Sequence, residues 1–161
     1  MKKLLIPLLA VAALIGATVP FAGAAAASRT ITLHLSEKSL TFGYQDNPPK
    51  GAPFEHVSAG DAFEFTSALV TRAGARAGTI RAHCVFITGG TGNSAASICN
   101  GTFGFRGGTL EAQTTQRGDS RTTRIAIVGG TGIYEGATGS VTSVSSSGNG
   151  PTRDTFHILL P

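Results

Sequence analysis

Two stretches of this chain read Gly-Gly-Thr-Gly, at Gly89 to Gly92 and Gly129 to Gly132, and Thr88 completes the Thr-Gly-Gly-Thr-Gly of a nucleotide loop. Such a loop grips phosphate only where its backbone N–H groups open a helix. After the second copy the chain continues as Ser140-Val141-Thr142-Ser143-Val144, which alternates like a strand. After the first, Asn93-Ser94-Ala95-Ala96-Ser97 cannot propagate a long helix. Both copies therefore read as turns between strands, and no nucleotide or other cofactor is expected.

Of the histidines, His34 has the right chemistry for a general acid or base near neutral pH. Ile31, Leu33 and Leu35 form the apolar face of its strand, so alternation alone turns His34 outward. His56, His83 and His157 are isolated, without metal-ligand spacing, and no metal is expected. No Gly-x-Ser-x-Gly elbow supports a serine nucleophile. The two cysteines, Cys84 and Cys99, flank the first glycine turn symmetrically. Setting them opposite each other also pairs Ala82 with Gly101 and Phe86 with Ser97, and opposed residues of an antiparallel pair share a face. A disulfide is expected in an exported chain; the competing reading is a thiol lining the interior.

Export is itself read from the N-terminus. Lys2 and Lys3 precede an apolar run from Leu4 to Ala17, Pro20 breaks it, and Ala22-Gly23-Ala24 is a small-x-small cleavage pattern. Residues 1–24 are expected to be removed as a signal peptide, leaving 25–161 as one domain, secreted or extracytoplasmic and without membrane attachment after cleavage. Loss of the two lysines takes the basic count from 13 to 11 against 9 acids, a net charge of +2. These basic residues form no run and interleave with no aromatic platform, so nucleic acid is not an expected partner.

The elements that must position these residues are all strands. Short alternating runs bounded by Gly, Pro, Asn and Asp cover Thr30 to Ser36, Asp61 to Thr71, Thr79 to Thr88, Ala96 to Phe105, Thr109 to Gln116, Thr122 to Val128, Thr138 to Ser146 and Arg153 to Leu160. Eight sequential antiparallel strands can close an up-and-down β-barrel, which removes exposed edges; a two-sheet sandwich is the alternative. One connection, Phe42 to Gly60 with Asn47-Pro48-Pro49 and Pro53, reads as a long irregular segment, either a lid or mouth element of the barrel or a surface strap with no role. Phe63, Phe65, Leu69, Phe86, Phe103 and Phe105 fall on one face by alternation. They form either the wall of a small-molecule pocket or the solid core of a narrow barrel.

The ordered block Gly60 to Leu69, Arg76-Ala77-Gly78, Ala82 to Phe86 and Gly129 to Gly139 resembles the allene oxide cyclase family, and its last segment resembles the strand junction of dirigent proteins. The resemblance spans about Thr30 to Leu160. It implies a calycin-like eight-stranded antiparallel barrel that assembles as a homotrimer and binds a small hydrophobic molecule. For the cyclases it implies an epoxide steered into ring closure, a Glu on the first strand helping the epoxide to open. Followed along this chain, that Glu position falls on His34, which the resemblance turns inward, and the Asn after it falls on Ser36. The pocket Asn of the second strand falls on Ser67, and the pocket Cys on Cys84. Dirigent proteins place protons with pocket acids; Asp61 and Glu64 lie on the corresponding strand, Glu64 alternating away from Phe63 and Phe65.

The expectation is an exported barrel that binds a small apolar organic molecule and steers its cyclisation or isomerisation without a cofactor. The alternative is a ligand-binding or interaction barrel without turnover.

Overall fold

The computed structural model describes residues 28–48, 56–91, 94–118, 120–146 and 150–161. The proposed signal peptide therefore lies outside the described residues, as does the stretch 49–55 of the long connection.

Eight strands close into one antiparallel barrel, each bonded to its neighbours in sequence and the first to the last. They are β1 (Arg29–Gln45), β2 (Ala62–Val70), β3 (Arg76–Thr88), β4 (Ala96–Phe105), β5 (Gly108–Arg117), β6 (Thr122–Gly130), β7 (Thr138–Val144) and β8 (Arg153–Leu160). The sandwich alternative is excluded, because every strand has two partners and no edge remains.

β1 departs most from the sequence reading. It runs to Gln45, so Phe42 to Gln45 is strand and not part of the connection. A bulge between Ser39 and Thr41 in the pairing with β2 shifts the alternation by one residue, which hides the second half of the strand from a period-two pattern. The first half of β1 pairs with β8 and the second half with β2, and Ser36 sits at the changeover, opposite both Arg153 and Val70.

The β3–β4 hairpin has the register that the cysteine spacing predicts, with Cys84 opposite Cys99, Ala82 opposite Gly101 and Phe86 opposite Ser97. Cys84 and Cys99 form a disulfide, and no free cysteine remains. The second glycine run joins β6 to β7 through a single 3-10 turn, Gly132–Tyr134, rather than a helix. Gly132 has φ +61°, and a Cβ there would run into the Gly107 carbonyl oxygen. Gly139 has φ +134°, and a Cβ would meet the His157 carbonyl oxygen on β8. Both positions need glycine because backbone approaches backbone.

The interior is packed at the end that this turn closes. Leu69, Leu110, Val141, Phe156 and Ile158 are fully buried, with Leu35, Ile80, Phe103 and Tyr134 around them. Phe103 meets Phe156 edge-on at 4.9 Å, and Phe105 meets Phe156 at 5.7 Å. Each such side chain contributes on the order of 2 kcal/mol through burial. A second, smaller cluster of Val57, Phe86 and Ala95 with Tyr44 and Phe63 packs at the opposite end. The six apolar residues on the alternating face are thus divided: Leu69, Phe103, Phe65 and Phe105 belong to the first cluster, Phe63 and Phe86 to the second.

Candidate functional site

Along β1 the inward face reads Ile31, Leu33, Leu35 and then Glu37; along β8 it reads Leu160, Ile158, Phe156 and then Asp154. Barrel closure sets Leu35 directly opposite Asp154, and Glu37 opposite the fully buried Leu69. Two carboxyl groups therefore meet inside the barrel, at the edge of the main core. Asp154 is 2 % exposed, and its Oδ2 has no hydrogen-bond partner among the described residues.

The two acids share their titration. Burial, then the charge of Asp154, push the Glu37 carboxyl up from 4.5 to about 7, while the Ser67 hydroxyl pulls it partly back. Burial also raises Asp154, against the Ser143 hydroxyl and the Glu37 carboxyl, which favour its ionised form. Both neighbours are placed by register, since Ser143 stands opposite Asp154 on β7 and Ser67 is inward on β2, two residues before Leu69. Burial and the neighbouring carboxylate thus favour a proton on Glu37 up to about pH 7, and the two groups titrate as a pair. A group poised in this way can give a proton to a bound molecule and take one back.

Access comes from the end opposite the main core. A cavity of about 400 Å³ is lined by Glu37, Ser39 and Ser67 on one side and Gly150, Pro151 and Thr152 on the other. The Glu37 amide donates to the Thr152 carbonyl at 2.8 Å, tying β1 to the approach to β8. That half of the interior also contains Ser97 and the disulfide, both buried.

The residues singled out in sequence fall in different places. Ser67 is buried and stands against Glu37. His34 is exposed on the outer face, its Nδ1 3.2 Å from Thr155 Oγ1, and Ser36 shares that outer face. Glu64 is also exposed. Asp61 is fully buried but serves the scaffold: it accepts from the Ser58 amide at 2.8 Å, the Asn47 amide at 2.9 Å and the Tyr44 hydroxyl at 2.9 Å. The Ser58 amide above all, with Asn47 and Tyr44, holds its carboxyl below the usual range despite burial. This clamp fastens both ends of the long connection to β2. Glu37 and Asp154 were missed, although each breaks an otherwise apolar alternation, which was the available signal. Among the described residues, no three His, Cys, Asp or Glu side chains gather in a way that could hold a metal ion.

No protein-family model matches this chain, and no curated protein matches it. Solved structures do. The chain is similar to a pyocyanin demethylase, with 22 % identity and a TM-score of 0.67 over 80 % of this chain and 99 % of that one. It is similar to the pterocarpan synthase dirigent protein GePTS1, with 17 % identity and a TM-score of 0.64 over 83 % and 90 %. The exo-specific intermolecular Diels-Alderase AbnU matches at 11 % identity and a TM-score of 0.61 over 81 % and 98 %. The chain thus has the eight-stranded barrel of dirigent proteins and Diels-Alderases.

Proposed function

We propose that this barrel binds a small, largely apolar organic molecule in the half of its interior that the main core leaves open, and steers its cyclisation or isomerisation. The observation that carries this reading is the Glu37–Asp154 pair, a half-buried and a buried carboxyl side by side at the rim of an apolar core, with Glu37 pushed up to about 7. The packed residues on one side hold the reactant in one conformer and keep water out, so that much of the barrier is met by orientation. Glu37 supplies a proton where negative charge develops, and Asp154 receives one from the position that must lose it. The proton then passes back from Asp154 to Glu37, which restores the starting state, and no cofactor is required for such a step.

The fold is shared with proteins named as a Diels-Alderase and a pterocarpan synthase dirigent protein, which supports the reaction class while leaving the substrate to this chain's own pocket. The disulfide is compatible with a site of action outside the cytoplasm, as the N-terminal segment suggests. A homotrimer is part of the same proposal. Native mass spectrometry of protein purified from its own secretions tests it. A retained organic molecule and a threefold mass are expected, together with loss of turnover of that compound by roughly 100-fold or more in Glu37→Gln and in Asp154→Asn. Binding without turnover in the wild type would leave a ligand-binding barrel instead.

A further inference from the structure

His34, Ser36 and Lys38 alternate along the outer face of β1, and none of the interior chemistry uses them. They form the floor of a cavity of about 780 Å³ on the outside of the barrel, walled by Val70, Thr71, Arg72 and Gly74 on one side and by Pro151 and Arg153 on the other. Register brings these groups together: Arg153 and Val70 stand directly across from Ser36, Thr155 stands across from His34, and Arg72 follows two residues after Val70.

The charge in this trough is one-sided. Lys38, Arg72 and Arg153 are exposed, and none forms an ion pair with a carboxylate among the described residues. The outward neighbours on the flanking strands are Ala68 and Val70 on β2 and Thr155 and His157 on β8, none of them acidic. Glu37 and Asp154 also border the cavity, but both alternate to the inner side of the same strands, and burial pushes the Glu37 carboxyl up to about 7. Three fixed positive charges around one depression repel each other unless something neutralises them. The Thr71 hydroxyl in the wall is shielded from solvent and has no hydrogen-bond partner among the described residues.

We propose that this trough is a second binding site, for an oxyanion group (carboxylate, sulfate or phosphate) carried by a small organic molecule. The guanidinium forks of Arg72 and Arg153 and the Lys38 ammonium grip the oxyanion through charge-assisted hydrogen bonds. The Ser36 and Thr155 hydroxyls complete its coordination, while Val70 and Pro151 receive the apolar body. The volume suits one small ligand. The trough adjoins the interior site, with Glu37, Lys38 and Pro151 bordering both cavities, but its occupancy is read as binding and not as turnover, so the two proposals fail separately.

Calorimetric titration of the protein with phenyl phosphate at low salt tests the site, with inorganic phosphate and benzyl alcohol as comparison ligands. Saturable one-to-one binding of phenyl phosphate is expected, with inorganic phosphate weaker and no binding of benzyl alcohol. Lys38→Gln and Arg153→Gln should each weaken phenyl phosphate by roughly tenfold or more. Arg124→Gln, on the outer face of β6, should leave the affinity unchanged. Absence of saturable binding, affinity undiminished in both Lys38→Gln and Arg153→Gln, or equal weakening by Arg124→Gln would overturn the proposal.

Discussion

Glu37 and Asp154 lie at opposite ends of the described chain, yet barrel closure makes them neighbours: Asp154 stands directly across from Leu35, and Glu37 is the next inward residue. The raised Glu37 carboxyl has a consequence for stability. Glu37 rises from 4.5 in the unfolded chain to about 7 in the barrel, so between those values the folded state holds a proton that the unfolded state has lost. Stability from this pair is complete below pH 4.5 and falls as pH rises to about 7. Glu37→Gln keeps the neutral form at every pH. It should flatten this part of the melting-temperature profile and stabilise the protein at pH 8 by on the order of 2 kcal/mol, as followed by thermal denaturation.

Asp61 has the opposite sign. Its carboxyl is held below the usual range, so its contribution is present above that range and is lost as pH falls through its folded value. Asp61→Ala removes three acceptor contacts and leaves the Ser58 and Asn47 amides and the Tyr44 hydroxyl to find other partners. Urea denaturation at pH 7 should show a loss of about 2–4 kcal/mol, and the difference from wild type should shrink in acid.

The Cys84–Cys99 bridge closes a loop with a sequence separation of 15. Thiol titration of the unreduced, denatured protein should find no free thiol. Replacing both cysteines with serine should cost about 3 kcal/mol in the same denaturation experiment. Two titratable thiols in the wild type would contradict the bridge.

Gly139→Ala tests the strand junction. The residue has positive φ, and the added methyl group would meet the His157 carbonyl. A loss of about 2 kcal/mol or more is expected, whereas Gly129→Ala, with open space around it, should cost far less.

How far these features were legible depends on how local they are. The β3–β4 register and its disulfide follow from two cysteines placed symmetrically about one turn, so alternation within a hairpin sufficed. The second half of β1 was hidden because the Ser39–Thr41 bulge breaks that alternation. The inward Glu37 and Asp154 were each visible as the odd member of an apolar series. Their meeting was not, because it depends on β1 closing against β8. The basic trough was invisible for a similar reason: Lys38, Arg72 and Arg153 look scattered along the chain, and only the barrel gathers them. His34 was the reverse case. Alternation and the family resemblance disagreed about its direction, and it lies on the outer face, as alternation required.

The most direct test of the central claim is a carboxyl-carbon NMR titration of protein labelled at glutamate. One glutamate, absent from the spectrum of Glu37→Gln, should titrate near pH 7 and move back toward the usual carboxylate range in Asp154→Asn. If every glutamate instead titrates in the ordinary range in the folded wild type, the two carboxyls do not share a proton, and the proposed acid–base chemistry fails with them.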